Sequence, residues 1–127
     1  MDVELIILYR GAKYTVECAV QMNGTSPSLD FLNSLSVEKK VKILRIIKRF
    51  ADIGAITNEQ LFKKVEGGLW EFKNYQTRFM MYHCGSGAIA LTHGFTKKSQ
   101  KTDKKEIKRA NKIIQEYETI RKKVRHE

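Results

Sequence analysis

The sequence predicts an α+β domain with a mostly antiparallel sheet. Strand-like segments stand near the N-terminus and again after residue 68, and helix-like segments lie between and after them. The last three strand-like segments are separated only by residues 74–77 and 85–87, which favours antiparallel hairpins. No internal repeat, low-complexity segment or linker interrupts the 127 residues, so we expect a single domain over residues 1–127.

Two strands are predicted at the N-terminus, over residues 3–9 and 14–21. In the second, Tyr14, Val16 and Cys18 alternate with Thr15 and Glu17, as expected for a strand with one buried face. The loop of residues 22–27 contains the only proline, and the next polar residue, Ser28, is predicted to cap a short helix that ends at residue 35.

A longer helix is predicted between the cap residue Ser36 and Gly54, since glycine commonly ends a helix. Its apolar positions form one stripe, which consists of Val37, Val41, Leu44, Ile47 and Ala51, widened by Ile43, Ile46 and Phe50. The segment TNEQ at residues 57–60 has the spacing of a capping box and predicts another short helical turn. Gly67 and Gly68 mark the break before the next strands.

Three strands are predicted over residues 69–73, 78–84 and 88–95, followed by a final helix that opens at Thr102 or Asp103. If residues 74–77 form the hairpin loop, Lys73 lies opposite Arg78 and Glu71 opposite Met80, so these charged residues share one face. The other face then receives the core side chains Trp70, Phe72, Phe79, Met81, Ile89, Leu91 and Phe95.

The positive charge is concentrated at the C-terminal end of the chain. The net charge is +10, and residues 97–127 hold twelve Lys or Arg against five Asp or Glu. The loop KKSQKT at residues 97–102 supplies cations and hydrogen-bond donors, namely Lys97, Lys98, Ser99, Gln100, Lys101 and Thr102. Cations fixed on a sheet face beside such a loop suit phosphates, and this asymmetry favours nucleic acid over a membrane as partner. The alternative, a solvated face and loop without a ligand, stays open from these residues alone.

Histidines and cysteines give weaker indications. The predicted register places His93 on the core face beside Leu91 and Phe95, although a bulge of one residue would reverse its face. No Cys/His set has zinc spacing and no Gly-rich phosphate loop is present, so neither a metal nor a nucleotide cofactor is expected. Cys18 and Cys84 are expected to be buried and reduced. The apolar run at residues 5–8 is too short for a signal peptide or membrane span, so we expect a cytoplasmic protein.

Four segments occur in an order that resembles a known family. They are SPSLDFLNSL at residues 26–35, GLWEFK at 68–73, RFMMY at 78–82 and LTHGFTKKSQKT at 91–102. Together they are similar to the phage-derived Gp49-like branch of the RelE/HigB toxin superfamily. The segment of residues 93–102 is the most specific part of the resemblance.

The resemblance implies a compact toxin fold, with helices on one face of a small sheet and the site on the concave other face. It also implies a toxin of a type II toxin–antitoxin module: a ribosome-dependent endoribonuclease that cuts mRNA, contacts ribosomal RNA and is neutralised by a helix-turn-helix antitoxin. By position, Arg78, Lys97, Lys98 and Glu71 match the family's basic and acidic site residues. Lys73 stands where arginine is usual and lacks the planar bidentate fork.

RNA cleavage by attack of its own 2′-hydroxyl assigns chemical roles to these residues. Arg78 would stabilise the developing charge on phosphorus, and Lys97 and Lys98 would hold flanking phosphates or transfer a proton. Glu71 would act as a base or orient a cation, and His93 is a further candidate if the register shifts. The residues expected to bind RNA without reacting are Lys73, Ser99, Lys101 and Thr102.

Two other functions remain open. One is a non-enzymatic basic module of the same fold, which grips RNA or the ribosome without cutting. The other is a DNA-binding protein, which the lack of a clear helix-turn-helix pattern disfavours.

Overall fold

The computed structural model describes residues 4–98 and 103–125 and confirms the α+β fold class. Its elements, in chain order, are β1 (Ile6–Arg10), β2 (Thr15–Cys18), α1 (Pro27–Ser34), α2 (Val37–Ile53), β3 (Phe62–Glu66), β4 (Leu69–Asn74), β5 (Thr77–Gly85), β6 (Ala88–Thr96) and α3 (Lys104–Arg125). None of the helices within the described ranges has the length and apolar character needed to cross a membrane.

The strands form one sheet in the order β1-β2-β6-β5-β4-β3. β2 and β6 run parallel, and all other neighbours pair antiparallel. Helices α1 and α2 pack on one face around the larger apolar core, whereas α3 packs on part of the opposite face. The sheet therefore has one face covered by two helices and another that α3 leaves partly open.

The register between β4 and β5 is the predicted one. Lys73 lies opposite Arg78 and Glu71 opposite Met80, so the charged residues share the face on which α3 packs. The hairpin loop is shorter than predicted, because Asn74 and Thr77 also pair. Only two residues, 75 and 76, remain in the turn.

A bulge in β6 corrects the predicted placement of two aromatic side chains. Met80 pairs with His93 whereas Met81 pairs with Leu91, so one extra residue of β6 interrupts the alternation between them. His93 and Phe95 consequently lie on the α3 face, and Phe95 packs near Met80 instead of beside Leu91. The predicted core face thus loses Phe95, whereas its other members keep their side.

Gly94, just after the bulge, allows α1 to approach β6 closely. A Cβ atom at this position would lie 2.2 Å from Cδ2 of Phe31 and 2.9 Å from Cε1 of Phe79. These two rings pack edge to face with 5.4 Å between their centroids. A larger residue at position 94 would push α1 away from the sheet.

Helix α2 has the predicted ends and buries most of the predicted stripe, but not its N-terminal members. The Ser36 hydroxyl accepts a hydrogen bond from the Lys39 backbone N–H, and Gly54 ends the helix with φ +90°. The buried residues are centred on Ile47, while the predicted stripe members Val37 and Val41 are exposed. At about 100° per residue, Val41 lies roughly 120° around the helix from Ile47, which places it outside the core face.

The helical turn predicted from Thr57 is wrong, because this segment forms a turn that leads into a missed strand, β3. The Asn58 side chain accepts a hydrogen bond from the Gln60 backbone N–H at 2.9 Å, and its carbonyl accepts from Leu61. A side-chain oxygen that closes a local turn competes with helix initiation. Because Glu66 of β3 pairs with Leu69 of β4, Gly67 and Gly68 form the turn of the β3–β4 hairpin.

The N-terminal third also departs in detail from the prediction. Both of its strands are shorter than predicted. Helix α1 begins at Pro27 after Ser26, so Ser28 lies inside the helix and is buried. Proline suits the first helical position because its missing N–H would have no intrahelical partner there.

A buried charged cluster attaches α3 to the sheet. Glu17 of β2 accepts hydrogen bonds from Nε of Arg121 at 2.9 Å and from the Tyr117 hydroxyl at 2.7 Å. Arg121 also donates to the carbonyl of Cys84, and the side chains of Cys84 and Cys18 are both buried, as expected. We call Glu17, Tyr117 and Arg121 the α3 anchor. It holds the helix beside the open part of the sheet.

Candidate nucleic-acid interface

A basic groove of about 520 Å³ lies on the open part of the α3 face. It is bounded by β3, β4, β5, the end of β6 and the start of α3. Six of its lining residues are cationic and two are acidic, and the full lining is Lys63, Lys64, Val65, Glu66, Glu71, Lys73, Arg78, Lys97, Lys104 and Ile107. Such an excess of positive charge in a concave surface attracts phosphate.

Arg78 and Glu71 form the centre of the groove. Nη1 of Arg78 lies 2.6 Å from Oε1 of Glu71, and their side chains are only 12% and 2% exposed. Nε of Arg78 also donates to the carbonyl of Tyr75 at 3.1 Å. The guanidinium is thus oriented by two acceptors before any ligand arrives, which is the preorganisation that electrostatic catalysis requires.

Lys73 and Lys97 flank this pair. Nζ of Lys73 donates to the carbonyl of Glu59 at 3.0 Å, and the Lys97 backbone N–H donates to the carbonyl of Gln76 at 2.8 Å. Burial lowers the pKa of Lys73, and Arg78 adds to this effect. Burial also lowers the pKa of Lys97, where Arg78 and Lys73 oppose the raising effect of Glu71. Both ammonium groups therefore lose a proton more readily than a solvated lysine.

The structure brings together four of the predicted site residues, namely Glu71, Lys73, Arg78 and Lys97. Lys98 lies next to them, in a cavity of about 310 Å³ that Lys97 also lines. The predicted residues Ser99, Lys101 and Thr102 lie outside the described residues.

His93 does not line the groove. It is fully buried, and its Nδ1 lies 3.1 Å from the Thr92 hydroxyl while its Nε2 lies 3.6 Å from Oε1 of Glu106. Burial, together with the charge of Arg109, lowers the pKa of His93 to about 4. The imidazole is therefore neutral at pH 7, and its contact with Glu106 is not an ion pair. Among residues 4–98 and 103–125, no group of three His, Cys, Asp or Glu side chains is placed to hold a metal ion.

Sequence reasoning missed the cations that β3 contributes. Lys63 lies directly opposite Glu71 in the β3–β4 ladder and so faces the groove. The signal was weak, because a bulge between Lys64 and Glu66 interrupts the alternation expected of a strand. Lys104, also missed, belongs to the basic C-terminal segment whose charge was recognised.

One comparison with known proteins identifies relatives of this chain. A family model described as phage-derived protein Gp49-like (DUF891) matches residues 30–115, which is 86 of the 127 residues. The matched range includes every residue that lines the groove. No curated protein matches the chain.

Proposed function

The chain belongs to the phage-derived Gp49-like family, and on this premise we propose that it is a ribosome-dependent mRNA endoribonuclease, the toxin of a type II toxin–antitoxin module. The family is associated with RelE-like toxins, and this association suggests a toxin-type function. The observation that supports endoribonuclease activity is the Arg78–Glu71 pair, which is oriented at the centre of a groove with surplus cations.

Cleavage uses a nucleophile that RNA itself supplies. The 2′-oxygen forms a bond to the adjacent phosphorus while the bond to the 5′-oxygen of the next nucleotide breaks, which leaves a 2′,3′-cyclic phosphate and a 5′-hydroxyl. Two nonbridging oxygens carry extra negative charge in the transition state. Arg78 stabilises this charge, because a fixed guanidinium donates two parallel hydrogen bonds to phosphate oxygens.

Proton transfer is assigned to Lys97. Its pKa is lowered by burial and by neighbouring cations, so a larger fraction is neutral near pH 7 than for a solvated lysine. Neutral Lys97 takes the proton of the 2′-hydroxyl, and the resulting ammonium can return a proton to the leaving 5′-oxygen. Lys73 contacts the Glu59 carbonyl and serves as a phosphate contact.

Glu71 acts as a positioning residue. Its side chain is nearly inaccessible and contacts Arg78 at 2.6 Å, so it orients the guanidinium and does not reach the 2′-hydroxyl. His93 is given a structural role between β6 and α3, because it is fully buried. Lys98 and the neighbouring basic loop contact flanking phosphates of mRNA or ribosomal RNA.

The decisive test expresses Arg78→Ala beside the wild-type protein. We expect wild type to arrest growth and to generate new 5′ ends in mRNA, detected by primer extension, and Arg78→Ala to do neither. Lys122→Ala, an exposed lysine far along α3, is the matched loss of one positive charge and should remain toxic. Full toxicity of a folded Arg78→Ala protein would show that the proposed site is wrong.

A non-enzymatic RNA-binding module is the second candidate. The burial of Glu71 and its contact with Arg78 favour it, because this carboxylate is already engaged and does not serve as a general base. This function predicts ribosome binding and growth arrest without new 5′ ends. The same primer-extension experiment therefore separates the two.

The proposed partners are mRNA on the ribosome and a helix-turn-helix antitoxin. An antitoxin gene should adjoin the gene for this chain, and its product should restore growth when co-expressed. Co-purification of the two proteins with loss of mRNA cleavage would support this assignment. Persistent cleavage in a stable complex would contradict neutralisation at the groove.

A further inference from the structure

Tyr75 has two features that do not stabilise the folded chain. Its side chain is 85% exposed in the two-residue turn between β4 and β5. Its φ of +55° lies in the left-handed region, which bulky residues rarely adopt. An exposed aromatic ring on a strained backbone is typical of a position kept for binding.

The turn that carries this ring is bonded to the cations of the groove. The carbonyl of Tyr75 accepts a hydrogen bond from Nε of Arg78 at 3.1 Å. The carbonyl of the next residue, Gln76, accepts one from the Lys97 backbone N–H at 2.8 Å. The position of the ring is therefore fixed relative to the two residues to which phosphate chemistry is assigned.

A second cavity, of about 410 Å³, adjoins the ring. It lies between the turn and the first turns of α2, and its lining is Ser36, Glu38, Lys39, Lys42, Asn74, Tyr75, Gln76, Thr77 and Thr96. Asn74 and Gln76 offer amide donors and acceptors suited to the edge of a base. Lys39 offers positive charge, whereas Lys42 is paired with Glu38 at 3.0 Å. The turn thus separates a phosphate-binding groove from a polar cavity with an aromatic wall.

We propose that the Tyr75 ring stacks on an unpaired base of the RNA chain whose phosphate lies against Arg78, an inference that rests on the proposed function. The RNA then passes over the β4–β5 turn, with its backbone in the groove and this base at the cavity beside α2. Aromatic rings in basic grooves bind single strands in this way, because every base presents a flat face for stacking. Stacking also covers the ring and so offsets the cost of its exposure.

Binding measurements test this proposal without relying on cleavage. The probe is a short fluorescein-labelled oligoribonucleotide with methylated 2′-hydroxyls, which prevent cutting, and a series in which one nucleotide at a time lacks its base. Tyr75→Gly removes the ring and suits the positive φ, whereas Tyr75→Phe retains the ring. Ile53→Ala, an exposed apolar residue at the other end of α2, is the matched control.

We expect Tyr75→Gly to weaken binding roughly 5-fold to 100-fold, as found for loss of one stacked base, while Tyr75→Phe and Ile53→Ala bind as wild type does. One abasic position should weaken wild type by a similar factor and leave Tyr75→Gly unaffected. Undiminished binding by Tyr75→Gly, or equal sensitivity of both proteins to every abasic position, would overturn the stacking proposal. If Arg78→Ala still loses binding in that case, the RNA lies in the groove without a base stacked on Tyr75. Absence of wild-type binding at low salt would also overturn the stacking proposal, whereas the primer-extension experiment decides the proposed function separately.

Discussion

Two Glu–Arg pairs lie on the α3 face of the sheet, and they differ in what surrounds them. In the α3 anchor, Glu17 is closed off by α3 and receives its hydrogen bonds from Arg121 and Tyr117. In the groove, Glu71 and Arg78 are also close together, but further cations surround them and solvent reaches the cavity. A Glu–Arg pair therefore attaches a helix to the sheet in the α3 anchor, whereas a pair of the same residue types lies in an accessible basic groove at Glu71 and Arg78. Surplus charge and access, more than the pair itself, distinguish the candidate site.

The largest expected effect on stability comes from breaking the buried Glu17–Arg121 pair. Arg121→Leu should lower the free energy of unfolding by about 3–5 kcal/mol, because it leaves Glu17 charged and buried without its cation. Arg78→Leu should cost less than half as much, because Lys73 and Lys97 remain near Glu71 and water enters the groove. Urea denaturation of both variants measures the difference. Equal losses would mean that the two pairs have the same structural role.

Removing both charges of the Glu17–Arg121 pair tests whether the loss of stability comes from the unpaired carboxylate. A Glu17→Leu, Arg121→Leu double variant removes both charges and should recover most of the stability lost in Arg121→Leu. A double variant as unstable as Arg121→Leu would show that the loss came from packing of the arginine stem.

The stability of the region that α3 covers should also depend on pH, because His93 is buried there. Its pKa is about 4 in the folded protein and near 6.5 when unfolded, so the unfolded chain binds the extra proton between these values. This contribution to stability is complete above pH 6.5 and is lost as the pH falls toward 4. It amounts to about 3 kcal/mol from the shift alone.

Urea denaturation at pH 7 and pH 4.5 measures this effect. The loss of stability on acidification should be smaller in His93→Gln than in wild type, and His83→Gln, which alters an exposed histidine, should behave as wild type does. An unchanged pH dependence in His93→Gln would contradict the assignment of a neutral buried imidazole.

In the basic groove, the property expected to change is the salt dependence of RNA binding. Replacing Lys73 and Lys98, the two proposed phosphate contacts, with alanine should reduce the slope of log affinity for single-stranded RNA against log salt by roughly 1.4, or about 0.7 for each lost contact. Lys122→Ala with Lys123→Ala removes the same charge from the far end of α3 and should leave the slope nearly unchanged. Equal reductions would place the RNA along the whole basic helix.

The smallest expected change in stability concerns Tyr75. Tyr75→Gly should raise the free energy of unfolding by up to about 1 kcal/mol, because glycine adopts positive φ without steric strain. Differential scanning calorimetry measures the change. A destabilised Tyr75→Gly protein would show that the ring supports the turn.

Prediction from the sequence succeeded where local patterns act alone. The Lys73–Arg78 register followed from strand alternation and a short loop, and the ends of α2 followed from Ser36 and Gly54. It failed where tertiary context decides. The bulge that moves His93 and the strand that brings Lys63 to the groove both depend on partners elsewhere in the sheet.

The α3 anchor shows a second limit of pattern reading. Glu17 occupies a polar position of an alternating strand, which suggests solvent, yet α3 covers it. Its partner Arg121 lies more than one hundred residues away, so no local signal links them. Part of the apparent surface charge was therefore structural.

The position of β6 has a consequence for the order in which the chain folds. Strand β6 follows the other five strands in the sequence, yet its parallel pairing with β2 joins the β1–β2 hairpin to the rest of the sheet. During synthesis the hairpin must wait for β6, and such long-range pairing is slow because a large loop has to close first. Lys97 follows β6 directly, so the groove is complete only after β6 and the residues that follow it have been synthesised.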